Sequence, residues 1–95
     1  MKNKEDDKLK QKLNELLEEL RSVGPVMRGS VTVMGKKNKQ PYFSRSIKGK
    51  TKVIYLGNKR AEIASKYVDN YKKMLKIVDE MTEVNMQILK SMKSS

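Results

Sequence analysis

Residues 42–57 read Tyr42-Phe43-Ser44-Arg45-Ser46-Ile47-Lys48-Gly49-Lys50-Thr51-Lys52-Val53-Ile54-Tyr55-Leu56-Gly57. Two runs rich in aromatic and β-branched residues flank Lys48-Gly49-Lys50. That is the pattern of two antiparallel strands, 42–47 and 51–56, joined by a short turn with Gly49 at the positive-φ position. A two-residue loop at Lys48-Gly49 would set Phe43 against Ile54 and Arg45 against Lys52. A three-residue loop would set Ile47 against Thr51 and Arg45 against Val53. One residue of loop length exchanges the faces. The three-residue loop is expected, because it avoids placing two cations opposite each other. In that register Tyr42, Ile54 and Leu56 share a face with Ser44, Ser46 and Lys52, while Phe43, Arg45, Ile47, Val53 and Tyr55 share the other. Neither face is cleanly polar, and which one meets the core stays open.

Upstream, Gly29-Ser30-Val31-Thr32-Val33-Met34 alternates polar and apolar residues, and Gly35 to Pro41, GKKNKQP, is a polar, basic turn. The three pieces make a three-stranded antiparallel meander over 29–57. Before it, Leu9, Leu13, Leu16, Leu20 and Val23 recur at spacings of four and three, with Leu17 widening the stripe, so 1–24 is predicted as an amphipathic helix. Asp6 or Asn3 can cap its start, and Gly24-Pro25 ends it. After the meander, no Gly or Pro interrupts residues 59–95. A long helix is expected over 58–93, capped by Asn58, with an apolar stripe of Ile63, Tyr67, Tyr71, Met74, Val78, Met81, Val84, Ile88 and Met92. Met86 extends that stripe. Such a helix is about 50 Å long, more than a small sheet can cover. Its second half needs the leucine stripe of the first helix, within one chain as a helical hairpin or between chains as a dimeric bundle. The expected fold is α+β, in the order α-β-β-β-α, as a single domain spanning 1–95.

Composition excludes several classes of function. The chain has 95 residues, no cysteine and no histidine. Disulfides, Cys-His and Ser-His-Asp catalytic groups, and Cys- or His-bound metals are therefore ruled out. The acidic residues all fall on the two predicted helices, and Asp79, Glu80 and Glu83, the densest group, read as a solvated helix face. The GKKNKQP turn lacks the second glycine and the GK[ST] ending of a phosphate-binding loop. No enzyme activity, cofactor or metal is expected. No apolar run reaches the length of a membrane span, and the N-terminus MKNKEDDKLKQ has no signal-peptide core. A cytoplasmic protein with no membrane contact is the expectation.

The charge is unevenly distributed. The net charge is +11; residues 1–22 carry six basic and six acidic groups, and residues 61–95 carry six and five. Residues 23–60 carry ten basic groups and no acidic one: Arg28, Lys36, Lys37, Lys39, Arg45, Lys48, Lys50, Lys52, Lys59 and Arg60. Such a block repels itself, and a polyanionic partner is the usual reason to keep it. Lys and Arg neutralise phosphates and release counterions, and Tyr42 among them can stack on a base or bond a phosphate. These eleven residues are the candidate nucleic-acid-binding set. The chain holds 18 Lys against 4 Arg, which favours phosphate attraction over base reading.

The stretch Pro41 to Gly57, PYFSRSIKGKTKVIYLG, resembles the sheet hairpin of mobile-element recombinases and transposases. It is similar to the arm-type DNA-binding domain of phage-type integrases, whose three-stranded sheet is packed on a helix and itself enters the major groove. From Met27-Arg28-Gly29-Ser30 through Ile88 the chain also resembles a family of small prokaryotic proteins encoded near mobile elements, whose members often carry cysteines where this chain has Lys36, Lys37, Asn38 and Lys39. The integrase resemblance implies that Arg45 and Lys52 read bases while Lys48 and Lys50 hold phosphates. The function expected is non-enzymatic binding of nucleic acid, DNA before RNA, as an accessory to a mobile element or phage. The alternatives are a small adaptor or inhibitor docking on a larger recombinase or RNA-guided nuclease, a structured-RNA binder, and a homodimer associating through its helices with charge serving solubility.

Overall fold

The computed structural model of the chain describes residues 4–92. Its elements are α1 (Lys4–Arg21), β1 (Ser30–Met34), β2 (Gln40–Ile47), β3 (Lys50–Tyr55) and α2 (Gly57–Ser91). The α+β class and the α-β-β-β-α order are those expected from the sequence. The chain forms two compact units: residues 24–72, and α1 through Val23 together with α2 from Lys73 onward. No helix among the described residues is long and apolar enough to cross a membrane.

In the 24–72 unit the strands lie in the order β1-β2-β3, antiparallel throughout. The hairpin register departs from expectation. Phe43 faces Ile54, Arg45 faces Lys52 and Ile47 faces Lys50 across a two-residue turn. Lys48 and Gly49 have φ of 51° and 79°, the paired positive values of a type I′ turn, whose twist matches that of the strands. This register also brings the Tyr42 and Tyr55 rings edge to face at 5.5 Å, and lets the Ser46 and Thr51 hydroxyls share a hydrogen bond of 3.1 Å. Those terms outweigh the repulsion between Arg45 and Lys52, two exposed and screened cations.

The parity of the sheet follows from that register. Val31, Phe43 and Leu56 share one face and pack with Ala61, Ala64 and Val68 of α2. Phe43 and Leu56 are 6% and 5% exposed and anchor this core. Tyr42, Val53 and Tyr55 occupy the outer face. Strand β2 also starts earlier than expected, so that Pro41 sits within it opposite Val33. The Pro41 carbonyl accepts from Leu56 N at 3.0 Å, but Pro41 has no N–H to return. The Leu56 carbonyl instead accepts from Arg60 Nε at 2.7 Å. The segment entering β1 is tied to α2 twice, by Asn70 Nδ2 donating to the Pro25 carbonyl and by Met27 N donating to the Tyr67 carbonyl.

In the helical unit, Leu9, Leu13, Leu16, Leu20 and Val23 pack against Met74, Ile77, Met81, Val84 and Ile88, and Leu16 is fully buried. The leucine stripe therefore meets α2 within the same chain. The expected α2 stripe needs three corrections. Ile63, Val78 and Met92 are exposed, as is Met86, while Ala64, Val68 and Ile77 are buried. The packed face follows a 74-77-81-84-88 track, one residue behind Val78, and on the sheet the two alanines let α2 approach closely. The caps also differ. Helix α1 opens at Lys4, so Asp6 lies inside its first turn; Asn3 lies outside the described residues. Helix α2 opens at Gly57, so Asn58 is likewise inside it. At the other end of α1, Gly24 at φ 88° turns the chain out, as expected.

Candidate nucleic-acid interface

The ten basic residues between 23 and 60 are all exposed, and among the described residues none of them is in an ion pair; the salt bridge seen there is Arg21–Glu18, at 2.9 Å in α1. The sheet sorts the ten into two groups. Arg45, Lys50 and Lys52 lie on the helix-side face, beyond Phe43 toward the hairpin tip, with Ile47 and Ile54 exposed beside them. Lys48 forms the turn itself. Arg28 precedes β1, whose first residue pairs with Ser44, so it belongs to the same end of the sheet. The other group sits at the opposite end. Lys36, Lys37 and Lys39 make the β1–β2 turn, and Lys59 and Arg60 follow β3 at the start of α2, next to Pro41. A strand of eight residues sets the two ends about 24 Å apart.

Arg45 and Lys52, expected to act together, are brought directly opposite each other, with Lys50 two residues along on the same face. Lys48 and Lys50 stand at an open tip, where a Cβ built at Gly49 would meet nothing within 4 Å. Arg60 is tied to the Leu56 carbonyl and has a structural duty besides its charge.

Of the outer face, the sequence points to Tyr42 alone; its partner Tyr55 is the residue it does not single out. Tyr42, Ser44, Ser46, Thr51, Val53 and Tyr55 line it, with Gln40 accepting a 3.2 Å hydrogen bond from the Tyr55 hydroxyl. No strand residue on this face is charged. Tyr55 is 49% exposed and edge to face with Tyr42. Its signal lay in the register, since a two-residue loop places both tyrosines together and a three-residue loop separates them. Among the described residues no group of three His, Cys, Asp or Glu side chains is placed to hold a metal ion. Tested against protein-family models, curated proteins and solved structures, the chain matches none.

Proposed function

We propose that the protein is a non-enzymatic nucleic-acid-binding protein that takes duplex DNA through the basic 24–72 unit, as an accessory to a larger mobile-element or phage machinery. One observation carries the reading: ten cations, with no acidic residue among them in sequence and no ion-pair partner among the described residues, stand at the two ends of one small sheet. A two-stranded ribbon fits the major groove. The β2–β3 tip enters it with Lys48 and Lys50 at the phosphates and Arg45 and Lys52 toward the base edges. Lys36, Lys37, Lys39 and Lys59 reach a second run of phosphates. The test is fluorescence anisotropy with labelled duplex DNA, single-stranded DNA and hairpin RNA, from about 50 to about 300 mM salt. Duplex binding that is tightest and neutralises about six phosphates gives a slope of about −5 in log K against log salt. Weak binding that vanishes equally for all three overturns the reading and moves the partner to a protein.

The Tyr42–Tyr55 pair, with Tyr55 exposed and Tyr42 half-buried, favours a second reading, in which unpaired bases of a structured RNA stack on the outer face while the flanking cations hold the backbone. Tighter binding of hairpin RNA than of duplex, lost on Tyr55→Ala, selects it.

A further inference from the structure

The helical unit has two unlike long sides. Its two segments run antiparallel: Ser91 Oγ donates to the Asp6 carboxylate at 2.9 Å, and Glu19 and Ser22 line a groove with Lys73, Lys76 and Glu80. Successive residues on a helix are turned by about 100°. In an antiparallel pair, residues one position before the packed positions therefore fall on one side, and residues one position after fall on the other. The side before is polar and of mixed charge, with Lys12, Glu15 and Glu19 on α1 and Lys76, Glu80 and Glu83 on α2. The side after carries Leu17 on α1 and a regular stripe on α2: Leu75, Val78, Thr82, Asn85, Leu89 and Met92. Leu75 and Val78 are 43% and 41% exposed, Leu89 and Met92 66% and 62%. Their spacing of three and four is that of a helix–helix seam.

We propose that this side packs against the same side of a second copy of the chain, with the two α2 helices antiparallel, to close a four-helix bundle. The order of residues along both helices supports that occupant. On α2 the stripe runs apolar, apolar, polar, polar, apolar, apolar. Antiparallel pairing sets Leu75 against Met92 of the second copy, Val78 against Leu89, and Thr82 against Asn85. On α1 the same side reads Asp7, Lys10, Asn14, Leu17 and Arg21. Pairing about Asn14 sets Asp7 against Arg21 of the second copy, an attractive pair, and lays the aliphatic stem of Lys10 over Leu17. The two centres coincide. The Asp6–Ser91 bond fixes the offset between the helices, and counting eight residues inward on each brings Asn14 level with Glu83, between Thr82 and Asn85. One twofold axis thus serves both helices, as an isologous dimer requires.

Size and charge agree. From 75 to 92 the face is about 26 Å long, and two helices wide it is about 20 Å across, so a dimer covers about 1,000 Å² over both copies. That is at the floor for a biological interface, about 1,000 Å², and fits a weak, reversible dimer. Charge complementarity comes from the Asp7–Arg21 pair across the same seam. This inference does not rest on the nucleic-acid reading.

Sedimentation of the full chain from about 1 to about 200 μM, the range open to an interface of this size, is the first test. A dimer is expected, with Leu89→Glu weakening it more than tenfold at unchanged helicity and Glu80→Gln, on the polar side, leaving it intact. A monomer throughout, or a dimer indifferent to Leu89→Glu, overturns the proposal. The chain has no cysteine, so single-cysteine variants report the pairing cleanly. Mixed Val78→Cys and Leu89→Cys proteins should form the mixed disulfide while neither variant links to itself. Self-linked Val78→Cys would mean a parallel dimer and overturn the arrangement.

Discussion

Gly29 occupies a place where the sheet has no room for a side chain. A Cβ there would run into the Phe43 ring and stand 2.5 Å from the Ser44 carbonyl oxygen. Phe43 anchors the sheet core, and the Ser44 oxygen is backbone, so neither can yield without moving β2. Gly29→Ala should therefore destabilise the protein by about 1–3 kcal/mol, the usual range for overpacking; a urea midpoint unchanged from the parent would refute that packing. Lys48 poses the opposite case. It is exposed and holds φ at 51°, and asparagine tolerates that region better than lysine. Lys48→Asn should raise stability by about 0.4–1 kcal/mol while removing one cation from the tip. Arg60 carries both kinds of role at once. Replacing it takes the 2.7 Å donor from the Leu56 carbonyl, at a cost of about 0.5–1.5 kcal/mol. A loss of binding in Arg60→Ala would therefore mix charge with fold, and Lys59→Gln is the cleaner probe of that end of the sheet.

At the scale of elements, the order of helices and strands was legible because each carries its own period: alternation in β1 and the hairpin, threes and fours in the helices. The hairpin register was not. Both loop lengths satisfy the local pattern, and repulsion between Arg45 and Lys52 is a weak arbiter, because both are exposed. The deciding terms, a type I′ turn, the Tyr42–Tyr55 contact at 5.5 Å and the Ser46–Thr51 hydrogen bond at 3.1 Å, are consequences of the register itself. The packed face of α2 is ambiguous in the sequence for a related reason. Two apolar tracks one residue apart run along its second half, Ile77 beside Val78 among them, and bulk alone does not say which turns inward. On the sheet, Ala61 and Ala64 pack in the core with Phe43 and Leu56, and their small side chains add little to an apolar stripe judged by bulk. A measurement separates the two tracks. Measured at concentrations where the chain is monomeric, Ile77→Ala, at a 4% exposed position, should cost about 2–5 kcal/mol, whereas Val78→Ala should cost well under half of that. Equal losses in denaturant titrations would contradict the assignment of the packed face.

For the whole molecule, the candidate site was legible as an amount of charge and not as an arrangement. The sequence sets ten cations between residues 23 and 60; strand parity decides that the outer face keeps none of them and that they gather at the tip and at the β1–β2 turn. That division makes the salt dependence of binding a structural probe. Each lysine at a phosphate contributes close to one unit of the slope in log K against log salt. If both ends of the sheet touch the polyanion, Lys48→Gln with Lys50→Gln should flatten the slope by about two units, and Lys36→Gln with Lys37→Gln should do the same. The four positions are exposed and unpaired among the described residues, so circular dichroism should report an unchanged fold in each variant. Because phosphate contacts carry no sequence information, each pair should weaken binding to unrelated duplexes alike. Together the four substitutions should remove most of the slope, since the ends lie about 24 Å apart, well beyond the screening length at moderate salt, and act independently. A tip pair that flattens the slope while the turn pair leaves it untouched would confine contact to the hairpin. Slopes indifferent to both would reduce the basic block to a solvated surface and leave the nucleic-acid reading without support.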